Sequence, residues 1–259
     1  MTSYKLINEN ELAHVQKTYH SSFPIIQSVI DGVQQGSIFI NSQNDCWVLH
    51  KAGFSEVFLK NDAGTEWIDF IAGSMKLPQY FHLYNPAGKL INYLQLRNET
   101  FNIRVRGRIQ LSYENQSPIK DSLNDLDDGF TLSNITNNNF ESLSVFNLDL
   151  GSKFWKSKNE FIKHALGVVV SNKEDMPVSL CYAAAVADQR AEIDVVTLEN
   201  YRGKGLAKTV VNSFINSCMA NNLFPNWDCF EDNTSSLDAA LKLGFFKNKF
   251  YNFISVYRK

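Results

Sequence analysis

A glycine-rich turn in the C-terminal half of the chain carries the clearest chemical signal. Residues 191–197 are a β-branched run that predicts a strand, and an apolar i, i+4 stripe from Leu206 to Cys218 predicts a helix over residues 204–221. The turn RGKGLA, residues 202–207, lies between them. A helix that opens on glycines presents unpaired backbone N–H groups at its positive end, so the turn predicts an anion site suited to a pyrophosphate. A plain tight turn before a basic helix start is the alternative interpretation.

Three cations surround this turn, but two familiar nucleotide motifs do not fit it. Arg202, Lys204 and Lys208 add positive charge near the same point. The dinucleotide fingerprint requires a third glycine that the chain lacks at the needed position, and a Walker loop requires Ser or Thr after its lysine, where Gly205 stands. A phosphate-loop enzyme acting on nucleotides is therefore only the third hypothesis for this chain.

The spacing R-x-x-G-x-A, met by Arg202, Gly205 and Ala207, resembles the acetyl-coenzyme A binding loop of the GCN5-related N-acetyltransferases, the GNAT superfamily. Residues 193–197 (IDVVT) are similar to the fourth strand of that family, and residues 225–229 (PNWDC) are similar to its fifth. The resemblance therefore covers the elements on both sides of the loop.

Further motifs extend the resemblance over residues 130–247. The helix after the fifth strand is similar to the N-x-x-S…L-G-F signature of the family through Asn233, Ser236 and residues 243–245. The phrase F-x-x-S-x-x-x-F, met by Phe154, Ser157 and Phe161, together with AEIDVVT, RGKGLA and WDC, resembles the zwittermicin-resistance branch. The N-terminal half matches only through its length and general pattern.

The resemblance implies direct transfer of an acetyl group from acetyl-CoA, the cosubstrate, to a primary amine of a small molecule. In such enzymes the pantetheine arm pairs with strand four where that strand separates from strand five, and a backbone N–H at the position of Val195 binds the thioester carbonyl. The residues that the resemblance assigns to the cofactor are Val195, Val196, Thr197, Arg202, Gly203, Lys204, Gly205, Leu206, Ala207, Lys208, Asn233 and Ser236.

Two carboxylates on the predicted strand fit the acceptor side of this chemistry. An aliphatic amine has a pKa near 10.4, so reaching its neutral form at pH 7 costs about 4.6 kcal/mol, and a nearby carboxylate can take the proton. Glu192 and Asp194 stand two apart and project from one face of the strand. We predict Glu192 as the base and Asp194 as the amine anchor. A polar strand face paired with nearby cations is the alternative, and a bulge in the strand would exchange the faces.

One family residue is missing. Many GNAT enzymes carry a tyrosine four residues before the Gly-Phe pair, placed to protonate the leaving thiolate, and Ala240 stands there in this chain. Tyr201, Tyr182, Tyr251 or water could substitute, or the thiolate could leave unprotonated. The missing tyrosine motivates a second hypothesis, a non-catalytic acyl-CoA-binding module that acts as a sensor or scaffold.

The remaining pattern predicts an α+β protein, with mixed helices and strands, in two domains. Residues 129–259 form the GNAT-like catalytic domain, and residues 1–128 form an N-terminal α+β domain that contributes to the acceptor site. The boundary lies in the polar, acidic linker at residues 114–129. In the N-terminal domain, three short β-rich runs at residues 37–60 predict an antiparallel meander, and the alternation over residues 101–113 predicts a half-buried strand.

The exposed face of that predicted strand carries the row Arg104, Arg106 and Arg108. The row is interpreted as a solvated face, with an anion grip as the alternative. Further on, residues 140–146 (FESLSVF) predict a helix capped by the asparagine run at residues 137–139.

Composition limits the partners and the compartment. The net charge is −2, which predicts no nucleic-acid partner, and the chain has neither a signal peptide nor an apolar run long enough to span a membrane, which predicts a cytoplasmic protein. Four widely spaced cysteines predict free thiols, and five scattered histidines predict no metal site. A monomer and a homodimer both stay open.

Overall fold

The computed structural model describes residues 4–60, 65–74, 77–113, 119, 126–127 and 129–259. The chain divides into a first unit of residues 1–109, 230–232 and 250–259 and a second unit of residues 110–229 and 233–249. Most of the linker predicted at residues 114–129 lies outside the described residues, as does Asp128 at its predicted boundary. The division between residues 128 and 129 therefore stays a prediction.

The first unit is a mixed sheet with helices. Its elements in chain order are β1 (Lys5–Leu6), α1 (Glu9–Thr18), α2 (Pro24–Ile30), β2 (Gly36–Ile40), β3 (Cys46–His50), β4 (Phe54–Phe58), α3 (Thr65–Gly73), β5 (Tyr80–Tyr84), α4 (Gly88–Leu96), residues 101–109 of β6 (Phe101–Ser112) and residues 250–258 of the last strand, β12 (Phe246–Arg258). Its strands lie in the order β1-β2-β3-β4-β5-β12-β6. β2, β3 and β4 pair antiparallel, which confirms the predicted meander.

Aromatic side chains dominate the core of this unit. Trp47 on β3 and Trp67 on α3 are fully buried and meet edge to face, with their ring centroids 5.4 Å apart. Phe81 on β5 and Leu90 and Leu94 on α4 pack into the same cluster. Such large rings bury much apolar area, and this explains why α3 and α4 are held on the sheet.

The arginine row on β6 is not uniformly solvated. Arg104 is exposed, whereas Arg106 pairs with Asp232 at 2.6 Å and lies 3.5 Å from the ring centroid of Phe230. Arg108 also lies over the Phe230 ring, at 4.5 Å. Two of the three guanidinium groups therefore stack on an aromatic ring of this unit.

The second unit places a helical layer on a sheet. Its elements in chain order are residues 110–112 of β6, β7 (Phe130–Asn134), a 3-10 helix (Glu141–Phe146), α5 (Lys158–His164), β8 (Gly167–Asn172), β9 (Pro177–Ala187), β10 (Arg190–Thr197), a 3-10 turn (Glu199–Tyr201), α6 (Leu206–Ala220), residues 224–229 of β11 (Phe224–Phe230), α7 (Thr234–Lys242) and residues 246–249 of β12.

The sheet of this unit runs in the order β11-β10-β9-β8-β7. β7, β8 and β9 each pair antiparallel with the next strand along the chain. β10 and β11 pair parallel, and α6 is the crossover between them. α6 packs on β8, β9 and β10 and buries Val210, Phe214 and Cys218. The mixture of helices and strands confirms the predicted α+β class.

One predicted element differs. Residues 141–146 form a 3-10 helix, and no side chain caps it. The Oδ1 atom of Asn139 accepts a hydrogen bond from the Thr136 N–H at 2.8 Å, so the predicted cap instead closes the preceding turn. The prediction of an asparagine-capped helix was wrong for this reason.

Among the described residues, no helix combines the length and apolar character that a bilayer span requires.

His82 on β5 is a half-buried histidine in an aromatic setting. Its ring stacks on Phe253, with the centroids 4.8 Å apart, and its Nδ1 atom lies 3.1 Å from the Ser255 hydroxyl. Burial, and to a smaller extent the charge of Arg108, together lower the pKa of His82 from 6.5 to about 4. His82 is therefore neutral in the folded protein at pH 7.

We expect His82 to make folding sensitive to mild acid. Because its pKa is lowered by folding, the unfolded chain takes up the proton first, so stability is present above pH 6.5 and falls as the pH drops toward about 4. Urea unfolding at several pH values should show a flatter pH dependence for His82→Gln than for the wild type. His14→Gln, on the exposed surface of α1, controls for the loss of one histidine. Parallel curves for the wild type and His82→Gln would contradict this account.

Candidate functional site

The predicted glycine turn joins β10 to α6 in an unusual backbone conformation. Gly203 and Gly205 have φ angles of 78° and 77°, the left-handed region that side-chain-bearing residues avoid. Gly205 is the N-cap of α6 and has no side chain to cap it. The path of the main chain therefore requires the two glycines, and no side chain caps the first N–H groups of α6.

Four backbone amides of this turn meet no acceptor among the residues that the structure describes. Across the described residues, the N–H groups of Gly203, Gly205, Leu206 and Ala207 have no hydrogen-bond acceptor, and the first turn of α6 contains no acidic residue. Unpaired amides at the positive end of a helix form an anion site. The geometry required of a pyrophosphate site is thus present at this turn.

Two basic side chains of the turn are held by the protein itself. The Nε atom of Arg202 donates to the Thr197 carbonyl at 3.3 Å, at the end of β10. The Nζ atom of Lys204 lies 5.4 Å from the ring centroid of Tyr201 and 5.9 Å from that of Phe130. Anion binding at the turn consequently depends chiefly on the main chain, with positive charge close by.

A cavity of about 1160 Å³ adjoins the turn. Its walls are the end of β10, the turn, the start of α6, Trp227 on β11 and one side of α7. In the described residues, β10 and β11 pair only where residues 190–192 of β10 face residues 224–226 of β11. Beyond Glu192 the two strands no longer pair, which is the separation that the family resemblance implied.

Most of the predicted cofactor residues line this cavity. They are Val195, Val196, Thr197, Arg202, Gly203, Gly205, Leu206, Ala207, Lys208, Asn233 and Ser236. Lys204 is not among them, since its side chain lies near Phe130 and Tyr201. Tyr201, which the sequence offered only as a proton donor, also lines the cavity. The sequence assigned no cofactor contact to seven further lining residues, which are Val211, Trp227, Ser235, Asp238, Ala239, Lys242 and Leu243. The helical spacing of Ser235, Asp238, Ala239 and Lys242 was the signal for one face of α7.

Asn233 and Ser236 have structural roles at the cavity wall. The Asn233 side chain caps α7 by accepting from the Ser236 N–H at 3.2 Å. The Ser236 hydroxyl accepts from the Nε1 atom of Trp227 at 3.0 Å. These two bonds link the start of α7 to β11, and they explain the N-x-x-S spacing independently of any ligand.

Asp194 lies opposite Tyr182 of β9, and both project from the same face. Its carboxylate accepts a hydrogen bond from the Tyr182 hydroxyl at 2.5 Å and lies 3.4 Å from the Nζ atom of Lys153. Burial, and then the charge of Asp194, raises the pKa of Tyr182 well above its ordinary value. Tyr182 therefore keeps its proton and remains a donor to Asp194.

Glu192 is buried and lies opposite Ala185 of β9. The register shifts between Glu192 and Ile193, and Ala184 of β9 is the additional residue. The bulge thus lies in β9 and leaves the alternation of β10 unbroken, so Glu192 and Asp194 share a face as predicted. Their chemical roles stay predictions.

The tyrosines considered as proton donors differ in their surroundings. Ala240, at the position of the family tyrosine, is fully buried on α7. Tyr182 is a poor acid because its pKa is raised and its hydrogen is bonded to Asp194. The Tyr201 hydroxyl accepts from the Nδ2 atom of Asn172 at 3.1 Å, and Tyr201 lines the cavity next to the glycine turn. Tyr251 belongs to the first unit.

Comparison with known proteins agrees with this fold. The model of the GNAT acetyltransferase family matches residues 16–254. A Bacillus subtilis (strain 168) protein, Uncharacterized N-acetyltransferase YdfB, is 31% identical over 230 residues, 85% of each chain. The crystal structure of a GCN5-related N-acetyltransferase-like protein from Streptococcus suis 89/1591 superposes with a TM-score of 0.72 at 21% identity, covering 96% of this chain and 98% of the other.

A tandem GNAT protein from the clavulanic acid biosynthesis pathway superposes with a TM-score of 0.63 at 11% identity, covering 98% of each chain. At such identities the solved structures establish the fold. The chain belongs to the GNAT acetyltransferase family, and it is an acyltransferase of that family. The family match reaches well into the N-terminal half, which the motifs of the sequence did not reveal. The zwittermicin-resistance branch stays a prediction.

The bond between Trp227 and Ser236 should stabilise the cavity wall. Ser236→Ala leaves the buried indole N–H without its acceptor, so we expect the free energy of unfolding to fall by about 1–2 kcal/mol. Urea unfolding measures this change. Ser235→Ala is the matched control, because the Ser235 hydroxyl bonds to the exposed Asn233 side chain and not to the buried indole. Equal effects of the two substitutions would show that the indole bond does not contribute.

Proposed function

We propose that the chain transfers an acetyl group from acetyl-CoA to a primary amine of a small molecule. The observation that supports this best is the open set of amides at residues 203–207, next to the cavity and to the point where β10 and β11 stop pairing. A pyrophosphate needs the open amides, and an extended pantetheine arm needs the unpaired edge of β10 beside them.

Different residues would bind the different parts of the acyl donor, acetyl-CoA. Gly203, Gly205, Leu206 and Ala207 would donate main-chain hydrogen bonds to the pyrophosphate, and Lys208 would add charge at the cavity wall. The free edge of β10 beyond Glu192 would pair with the pantetheine amides, and the Val195 N–H would bind the thioester carbonyl. Acetyl-CoA supplies the activated acyl group.

The face of β10 that carries Glu192 and Asp194 fits the acceptor. Asp194 would hold the incoming ammonium, and Glu192 would accept the proton that the amine must lose before it attacks. The amine nitrogen then bonds to the acyl carbon as the carbon–sulfur bond breaks. With Ala240 in place of the family tyrosine, the sulfur would leave as a thiolate or take a proton from water.

The buried alanine at position 240 also favours a second candidate, a module that holds acyl-CoA without catalysis. Thiol release from acetyl-CoA in the presence of a panel of primary amines separates the two. An enzyme releases thiol in proportion to the acetylated amine, whereas a binding module releases none.

The anion site predicts a specific loss of donor affinity. Gly205→Glu places a negative charge and a strained backbone at the first turn of α6, so we expect affinity for acetyl-CoA to fall at least about 100-fold in isothermal titration. Gly88→Glu is the control, since an added Cβ at either glycine meets open space. Unchanged affinity in Gly205→Glu, with the fold intact by circular dichroism, would overturn the loop assignment.

The base assignment predicts a loss of turnover alone. Glu192→Gln keeps the shape of the side chain but cannot take a proton, so kcat should fall by about 10²- to 10⁴-fold while affinity for acetyl-CoA is preserved. Glu199→Gln, an exposed isosteric change in the turn before the loop, should leave both quantities near wild type. Turnover of Glu192→Gln close to wild type would remove Glu192 from the mechanism.

A further inference from the structure

The carboxylate of Asp194 contacts a neutral hydroxyl and a charged ammonium of its own chain. The Tyr182 hydroxyl reaches it at 2.5 Å from the buried side, and the Lys153 ammonium reaches the same oxygen, Oδ2, at 3.4 Å from the solvent side. All three residues belong to the second unit. A neutral donor and a cation thus share one carboxylate oxygen on the strand that carries the predicted acceptor residues.

Tyr182 is a fixed donor. It is fully buried, and its ring packs 6.0 Å from that of Phe161 on α5. Because burial and the neighbouring carboxylate both oppose ionisation, the hydroxyl keeps its hydrogen. A buried ring with two side-chain torsions has little freedom, so the bond orients the Asp194 carboxylate.

Lys153, in contrast, is weakly held. The side chains of Lys153 and Asp194 are 40% and 35% exposed, and ion pairs with this exposure contribute little net stability. The Lys153 ammonium also lies 4.6 Å from the ring centroid of the neighbouring Phe154. A flexible methylene chain carrying a compact, strongly hydrated charge exchanges such contacts readily for water or for another cation.

We propose that Lys153 is a resident cation in the amine subsite, which the acceptor ammonium displaces from Asp194, with Tyr182 as the positioning residue for that carboxylate. This inference rests on the proposed function, in which Asp194 anchors the amine. The site already holds an ammonium on an unbranched methylene stem, between a carboxylate and an aromatic ring. The acceptor class is therefore an unhindered primary aliphatic amine that is protonated when it binds.

Because Lys153 and the acceptor would compete for Asp194, removing the Lys153 charge should strengthen acceptor binding. Lys153→Met removes the charge and keeps most of the stem, so Asp194 becomes available and the acceptor should bind more tightly. Tyr182→Phe keeps the ring and removes the hydroxyl, so the carboxylate loses its orientation and the acceptor should bind more weakly. Neither change touches the residues proposed to hold acetyl-CoA.

Lys158, the first residue of α5, provides a matched control. Lys158 forms an ion pair with Glu141 at 2.6 Å, in the same segment of the second unit, and Glu141 is not on β10. Lys158→Met removes an equal charge from an ion pair that the proposal does not involve. Bulk electrostatic effects on a cationic probe would appear equally in both lysine variants.

The test uses 1,5-diaminopentane as the probe, the full-length chain, and two readouts. Titration followed by NMR gives the affinity for the probe without turnover, and thiol release gives KM and kcat. We expect Lys153→Met to raise affinity and lower the KM for the probe two- to tenfold, with the KM for acetyl-CoA unchanged. Lys158→Met should match the wild type, and Tyr182→Phe should raise the KM for the probe.

The outcomes separate this inference from the function on which it rests. Equal or weaker binding of the probe to Lys153→Met, an equal gain in Lys158→Met, or no binding to any of these proteins would overturn the resident-cation assignment. Binding of the probe with the expected order, but without thiol release from any variant, would support the subsite and contradict the proposed acetyl transfer.

Discussion

The end of pairing between β10 and β11 is the constraint on which the rest of the site depends. Buried main-chain N–H and C=O groups are costly to leave without partners. Two neighbouring strands that separate therefore expose groups that a ligand or water must satisfy. Here the described parts of β10 and β11 pair over three residues and then diverge, and the cavity lies where they diverge. The gap leaves a strand edge that an extended, amide-bearing ligand can complete.

The two sides of β10 serve different tasks because a strand alternates its side chains. Val195 lies opposite Cys181, on the face that α6 covers, whereas Asp194 lies opposite Tyr182 on the other face. The two carboxylates are thereby kept on the face away from α6, while the edge of β10 at Val195, which does not pair with β11, is left for the proposed thioester contact. The single additional residue, Ala184, stands in the neighbouring strand, so β10 keeps its alternation.

The sequence predicted the features that depend on local order and missed those that depend on long-range contacts. The strand, glycine turn and helix at residues 191–221 follow from β-branched, glycine and i, i+4 patterns, all of which are local. Lys153 and Tyr182 meet Asp194 only because the chain folds back across 41 and 12 positions, and no periodicity indicates such a meeting. Likewise, the N-terminal half keeps the pattern of its apolar core but none of the quoted motifs, so its place in the family followed from the comparisons and not from motifs.

The open start of α6 has a thermodynamic consequence. A helix whose N-cap is a glycine without a capping side chain leaves its first N–H groups to water or to a bound anion. Ligand present at about 100 times its dissociation constant would add roughly 2.7 kcal/mol to the stability of the folded state by mass action. With the proposed acyl donor as that ligand, the resistance of the protein to unfolding and proteolysis would follow the concentration of the donor.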